Sequence, residues 1–310
     1  MSPLATFFRS ALALALAGPI WGNDLSTTGT FGEDFVPAPG DLLTASNTSG
    51  NGVSITTLHF ELADGIVFDP EQTGGVPGEL IDETGVSGFD GVWTYGDPLF
   101  QPLPEPRTVY GTLTLAFTDF QPGEEVHILL DVDADFGVEA FVSGGQFAGS
   151  TLAVTYDNGQ ATQVVAGTYT AAGSDAAVSV SGMLSLQATE TVRVGVPANP
   201  SALLPGLTSG PVTGSTWDPR VDHAAFLPGA VLDVLGASGA STNLPLPPLG
   251  TLLCQIGTLV FTASPGVPFA VPIPDSCALV GLSLCTQAAS VDAAGTIALT
   301  NALDITVGTF

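Results

Sequence analysis

Residues 151–166 read Thr151-Leu152-Ala153-Val154-Thr155-Tyr156-Asp157-Asn158-Gly159-Gln160-Ala161-Thr162-Gln163-Val164-Val165-Ala166. Side chains of an extended chain alternate between two faces, so Leu152, Val154 and Tyr156 share one side and Thr151, Ala153 and Thr155 the other. Asp157-Asn158-Gly159 supplies the residue types that tolerate a tight reversal. The stretch therefore predicts a β-hairpin that returns through Gln160 to Ala166.

The same alternation recurs on either side. Leu113, Leu115 and Phe117 oppose Thr112, Thr114 and Thr118. Further strands are expected at 53–62, 126–133, 176–186, 231–235, 252–262, 279–287 and 302–307. No stretch after residue 22 carries a helical period. Glycine (38) and proline (24) make up a fifth of the 310 residues, against an average of about 12%. Many short strands with frequent turns predict an all-β fold, two jelly-roll-like β-sandwich domains in tandem. The domains are expected at 23–190 and 195–310. Pro197, Pro200 and Pro205 crowd the break between them. Segment 70–106 reads as a long loop of the first domain and holds Trp93, Tyr95 and Phe100, with Phe89 among them.

Residues 1–22 read as an export signal. One positive charge precedes the small and apolar run 10–18, and cleavage is expected after Ala17 or Gly22. The run is too short to span a bilayer. The most apolar later stretch, 266–291, is interrupted by Pro268, Pro272, Pro274 and Asp275. Phe310 ends the chain as in outer-membrane barrels, but Gly308, Thr306 and Asp304 share its phase and do not suit a lipid face. The sequence thus points to a secreted or cell-surface protein without membrane insertion.

Thirty acidic residues meet four arginines and no lysine, for a net charge of −26. Such a surface repels nucleic acid and anionic lipid, and it attracts divalent cations. Asp131, Asp133 and Asp135 would share one strand face about 6.6 Å apart, with Glu139 close behind, a pattern a calcium ion would relieve. Phe136 stands where a calcium loop needs glycine, so the alternative is a solvated strand face.

The sequence lacks a Gly-x-Ser-x-Gly elbow and a His-Glu-x-x-His helix. Three histidines, His59, His127 and His223, would have to serve any Ser-His-Asp triad. Paired carboxylates of a polysaccharide hydrolase leave no motif, and that reading stays as a second alternative. Trp217-Asp218-Pro219-Arg220-Val221-Asp222-His223 is the densest polar and aromatic cluster. It reads either as a sugar platform, with Trp217 stacking and Asp222 or His223 hydrogen-bonding, or as a turn whose Arg220 pairs with a carboxylate. Trp93 and Tyr95 likewise read as a stacking face or as anchors that hold a loop to the core.

Two stretches resemble known modules. Leu244-Pro-Leu-Pro-Pro-Leu-Gly250, Ile273-Pro-Asp-Ser-Cys-Ala-Leu-Val-Gly281, Thr286-Gln287 and Thr300-Asn-Ala-Leu303 through Gly308 resemble a C-terminal module of exported planctomycete-type bacterial proteins, over residues 195–310. The resemblance implies a β-sandwich appended to diverse extracellular proteins, with no established activity. Phe117–Glu124, Asp131-Val-Asp133, 144–150 and 154–159 resemble malectin-like or other lectin-like exported modules, over 115–160. That resemblance implies binding of polysaccharide or cell-surface glycan. Many relatives of the C-terminal module carry a further cysteine near its start, and this chain has none there. Cys254 is therefore left with Cys277 and Cys285 as partners. The spacing Cys-x22-Cys-x7-Cys fits no usual zinc site. Cys285 ends the apolar run 280–285 and is expected to stay a buried thiol, leaving Cys254–Cys277 as the expected disulfide.

Taken together, the residues predict a non-enzymatic extracellular protein that binds glycan or a surface component. A self-associating envelope or matrix protein is the alternative.

Overall fold

A computed structural model describes residues 24–34, 40–50, 52–68, 79–82, 89–101, 107–130, 132–134, 144–173, 175–255 and 259–310. The expected export signal, 1–22, lies outside them. The chain forms two compact units, one ending at Leu184 and the other running Ser185–Phe310. Regular structure is almost wholly β. Two short 3-10 turns, Gly144–Phe147 and Cys277–Leu279, are the helical elements among the described residues. The boundary falls between Leu184 and Ser185, ahead of the break expected between 190 and 195, and Thr189–Arg193 is already a strand paired within the second unit.

The first unit runs β1 (Asp24–Asp34), β2 (Gly40–Asn47), β3 (Ser54–Glu61), β4 (Ile66–Phe68), β5 (Glu79–Asp82) and β6 (Phe89–Gln101). It continues with β7 (Arg107–Phe120), β8 (Glu125–Leu130), β9 (Val132–Ala134), β10 (Thr151–Asp157), β11 (Thr162–Thr168), β12 (Thr170–Ala172) and β13 (Asp175–Met183). One sheet has the order β12-β13-β1-β2-β8-β5. The other has the order β11-β10-β3-β7-β4-β9, with β6 also on β7. The sheets face each other where Gly167 of β11 approaches Val178 and Val180 of β13.

The hairpin of 151–166 forms as its sequence dictates. Leu152, Val154 and Tyr156 are fully buried, and their alternate neighbours are partly open. Asp157 Oδ1 accepts the Gly159 N–H at 2.6 Å, and Asn158 Oδ1 accepts those of Gln160 and Ala161 at 3.0 and 2.7 Å. Gly159 takes a φ of 80°, which a Cβ would strain. The neighbouring β3 departs from strict alternation, since Ile55, Leu58 and Phe60 are all buried. A bulge between Ile55 and Thr57 moves the phase by one residue.

Two expectations change here. All of the supposed loop 70–106 that is described is strand: β5 pairs with β8, and β6 runs 13 residues along β7. Its one proline, Pro98, lies opposite Tyr110 within that pairing. The single strand expected at 126–133 is two, with β8 in one sheet and β9 in the other.

The second unit runs β14 (Thr189–Arg193), β15 (Leu203–Leu204), β16 (Thr216–Trp217), β17 (Arg220–Val221), β18 (Ala230–Ser238) and β19 (Ser241–Leu246). It ends with β20 (Gly250–Cys254), β21 (Leu259–Ala263), β22 (Val271–Pro272), β23 (Ser283–Asp292) and β24 (Ile297–Thr306). The central sheet has the order β14-β24-β23-β18-β21, and β15-β17, β16-β22 and β19-β20 pair separately. Residues 285–288 of β23 and 299–303 of β24 are buried in unbroken runs, so these strands are covered on both faces. On one face Leu235, Ala288, Leu303 and Ile305 pack with Trp217, Phe226 and Phe269. On the other, Cys285 and Ala302 pack under Leu253 and Cys254 of the β19–β20 hairpin. Gly308 closes this unit, because a side chain there would run into the backbone of Leu186 and Ala188.

The disulfide joins Cys254 to Cys285 with Cα atoms 5.5 Å apart, and Cys277 is the buried thiol. The expected Cys254–Cys277 pair is thus corrected. Run 280–285 is not one packed apolar block: Cys285 lies on the β23 face beneath β20, while Cys277 sits in the 3-10 turn Cys277–Leu279. The bridge closes a sequence separation of 31 residues, worth about 3–4 kcal/mol in the chain-entropy account. Non-reducing peptide mapping should recover Cys254 linked to Cys285, with Cys277 alkylated only after unfolding, and reduction should lower the unfolding midpoint. A Cys277-containing disulfide would contradict this structure.

Candidate functional site

The polar and aromatic cluster 217–223 is split by Asp218-Pro219. Trp217 ends β16 beside Val271 of β22, and Arg220 opens β17 beside Leu204 of β15. Trp217 is 1% exposed, so it does not form the expected sugar platform. Its indole N–H donates to Glu190 Oε1 at 2.6 Å, and the same oxygen accepts the Gly206 N–H at 2.9 Å. A ring of this size satisfies its one donor internally and fills the core. Asp218 accepts the Thr208 hydroxyl at 2.6 Å and the Thr208 and Ser209 N–H groups at 3.0 and 3.2 Å. Burial pushes its carboxyl up, but these bonds outweigh that and leave it below the usual range. Arg220 meets no carboxylate among the described residues. Asp222 is exposed and accepts the Ala224 N–H at 2.9 Å, which fixes a local turn.

His223 is held on both sides. Its Nδ1 lies 2.9 Å from the Phe226 carbonyl oxygen, and its Nε2 lies 3.0 Å from each oxygen of Asp233. Asp233 is wholly buried and also accepts the Ser290 hydroxyl at 2.5 Å and the Gly266 N–H at 3.3 Å. Histidine, aspartate and serine thus meet, but not as a nucleophilic triad. The serine bonds to the carboxylate rather than the imidazole, and no ring nitrogen remains to take its proton. Burial drives the imidazole pKa down. The Asp233 bond, the Phe226 carbonyl and the Asp233 charge outweigh burial, so the net shift is upward.

Sequence reasoning missed the groups that carry the second unit. Arg193 grips Asp304 with two bonds, Nε to Oδ2 at 2.8 Å and Nη2 to Oδ1 at 2.9 Å. Its Nη1 donates to the Thr242 and Leu253 carbonyls at 3.1 and 3.0 Å, and Nη2 reaches Cys285 Sγ at 2.8 Å. Three buried amides act like strand edges. Asn199 takes the Thr251 N–H at 2.6 Å and gives to the Thr251 and Thr300 carbonyls at 2.6 and 2.7 Å. Gln287 takes the Leu253 N–H at 2.8 Å and gives to the same two carbonyls at 2.9 and 2.8 Å. Asn301 takes the Leu203 N–H at 2.7 Å and returns a bond to its carbonyl at 3.0 Å. The available signal was Gln287 and Asn301 standing amid apolar strand residues.

In the first unit, Tyr95 of β6 is half-buried, with its ring centroid 5.2 Å from Tyr110 and 6.0 Å from Phe68. It anchors β6 to the sheet. Trp93 occupies the register position opposite Leu115. Asp133 lies opposite Val67 in β9, while Asp131, Asp135 and Glu139 lie outside the described residues. Among the described residues, no three metal-ligating side chains come together, and no helix is long and apolar enough to cross a membrane. Charge is uneven: residues 24–184 hold 23 acidic side chains and Arg107, whereas 185–310 hold seven acidic side chains and two arginines.

No known family model matches the chain, and no curated protein does. Among solved structures, a variant of the major pilin subunit of Bacillus cereus is similar over 89% of this chain at 9% identity and a TM-score of 0.25. The match covers 63% of that protein.

Trp217→Ala should destabilise the protein by about 3–5 kcal/mol, the usual cost of emptying a core site of this size. Urea unfolding measures the loss, and a variant as stable as the parent would contradict the buried placement.

Proposed function

We propose that this chain is a secreted, non-enzymatic extracellular protein that binds a polysaccharide, a cell-surface glycan or another matrix component. The observation that carries the non-enzymatic part is the commitment of six polar side chains of the second unit to structural bonds. His223, Asp233, Ser290, Glu190, Asp218 and Arg193 all hold their own fold together. The disulfide suits an oxidising compartment, and the export signal read at 1–22 agrees with it. Binding is supported by the lectin-like resemblance over 115–160 and by the acidity concentrated before residue 185. Such a surface favours neutral glycans and cationic partners, and it meets anionic polymers only through bridging cations. Calcium held by Asp131, Asp133, Asp135 and Glu139 belongs to the same proposal.

A glycan array probed with the chain from residue 23, with millimolar calcium and with chelator, tests this. Retention of a defined glycan set without release of reducing ends is the expected result, and a chelator-sensitive subset marks calcium. Release of reducing ends would overturn the proposal in favour of a hydrolase. No retained glycan, together with concentration-dependent assembly in sedimentation, would overturn it in favour of a self-associating matrix protein.

A further inference from the structure

His223 sits between acceptors only. A carbonyl oxygen faces Nδ1, and the Asp233 oxygens, which also accept the Ser290 hydroxyl and the Gly266 N–H, face Nε2. Both bonds therefore require both ring protons, which is the imidazolium. The segment it closes is strained and anchored at its far side. Leu227 is a non-glycine residue at φ 42°, and it packs against the core cluster that holds Trp217 and Phe226. Its carbonyl accepts the Ala230 N–H at 3.1 Å, just where β18 begins.

We propose that His223 is the switch of a pH-sensitive latch: as the imidazolium it pins segment 222–229 to β18, and on losing its Nδ1 proton to solvent it frees the turn that ends at Phe226. The neutral ring keeps its Nε2–H for Asp233, so the buried carboxylate stays bonded. The bare Nδ1 lone pair then points at the Phe226 oxygen, and that contact turns from attraction to repulsion. The groups that face the ring come from three elements and from the segment itself. From β18, Asp233 presents its carboxylate, and from β23, Ser290 donates to it. From the loop after β21, the Gly266 N–H donates to it as well. On the segment itself, Asp222 is turned to the Ala224 N–H, and the Phe226 ring lies 6.0 Å from the imidazole.

The sign follows from the upward shift of His223. Its stabilisation is complete below the unfolded histidine value of about 6.5, and it fades as pH rises through the higher folded value.

A nitrogen-15 NMR titration of the whole chain reads the His223 ring, and exchange mass spectrometry reads the protection of amides 224–227 and 229 between pH 5 and 9. The expected result is a His223 pKa above that of free histidine. Protection, corrected for intrinsic exchange, should fall about fivefold through it, the scale of one hydrogen bond. His223→Gln keeps a donor for Asp233 and should show no pH-dependent step. Should that variant fail to fold, the parent's titration still decides the matter. A His223 pKa at or below that of free histidine, or protection that stays constant through its titration, would overturn the latch.

Discussion

One edge of β20 governs the second unit. The N–H and C=O of Thr251 and of Leu253 face away from β19, the strand that pairs with β20. Side chains meet these four groups instead: Asn199 and Gln287 bond Thr251, and Gln287 and Arg193 bond Leu253. Each unmet group would carry a desolvation cost of about 1–3 kcal/mol in a buried setting. Amide side chains answer both an N–H and a C=O, as a neighbouring strand would, so the hairpin docks on the face of the β23–β24 sheet without joining its ladder. The Cys254–Cys285 bridge then ties the same hairpin to β23.

From this follows the burial of β23 and β24 on both faces, and with it the polar residues in their interior. Thr300 Oγ1 exchanges bonds with the main chain of Ala288, and Thr286 Oγ1 donates to the Leu303 carbonyl. Buried polar networks of this kind are stable only when every member is satisfied. They also withdraw those members from chemistry. In the first unit the hairpin strand β10 buries its apolar face by alternation, while the buried Asn47 amide repeats the device on a smaller scale, giving to the Val53 and Phe120 carbonyls and taking the Ser49 N–H.

The difference explains what the sequence could disclose. Alternation and the Asp157-Asn158-Gly159 reversal are local signals, and the hairpin they describe forms at the expected residues. The all-β class follows from the same periodicity repeated along the chain. The disulfide partner of Cys254 was not legible, because it depends on which face of β23 lies beneath β20, and that is set by contacts distant in sequence. Trp217 reads as part of a sugar platform or of a turn, and its buried place follows only once Glu190, 27 residues earlier, supplies its acceptor. His223 was singled out as a ligand group, yet its partner Asp233 sits in a strand whose apolar neighbours conceal it. The loop expected at 70–106 was misjudged because Gly91, Gly96 and Pro98 weaken the strand pattern, while the long pairing with β7 overrides it.

Side chains serving as a strand edge hold the second unit together. Amide hydrogen exchange at Leu203, Thr251 and Leu253 measures this directly, because their acceptors are the side-chain oxygens of Asn301, Asn199 and Gln287. If those bonds carry the unit, the three amides exchange only through its global opening, as slowly as the main-chain-bonded amides in the middle of β23 and β24. Exchange at the rate of open loops, with the central strands still protected, would contradict it.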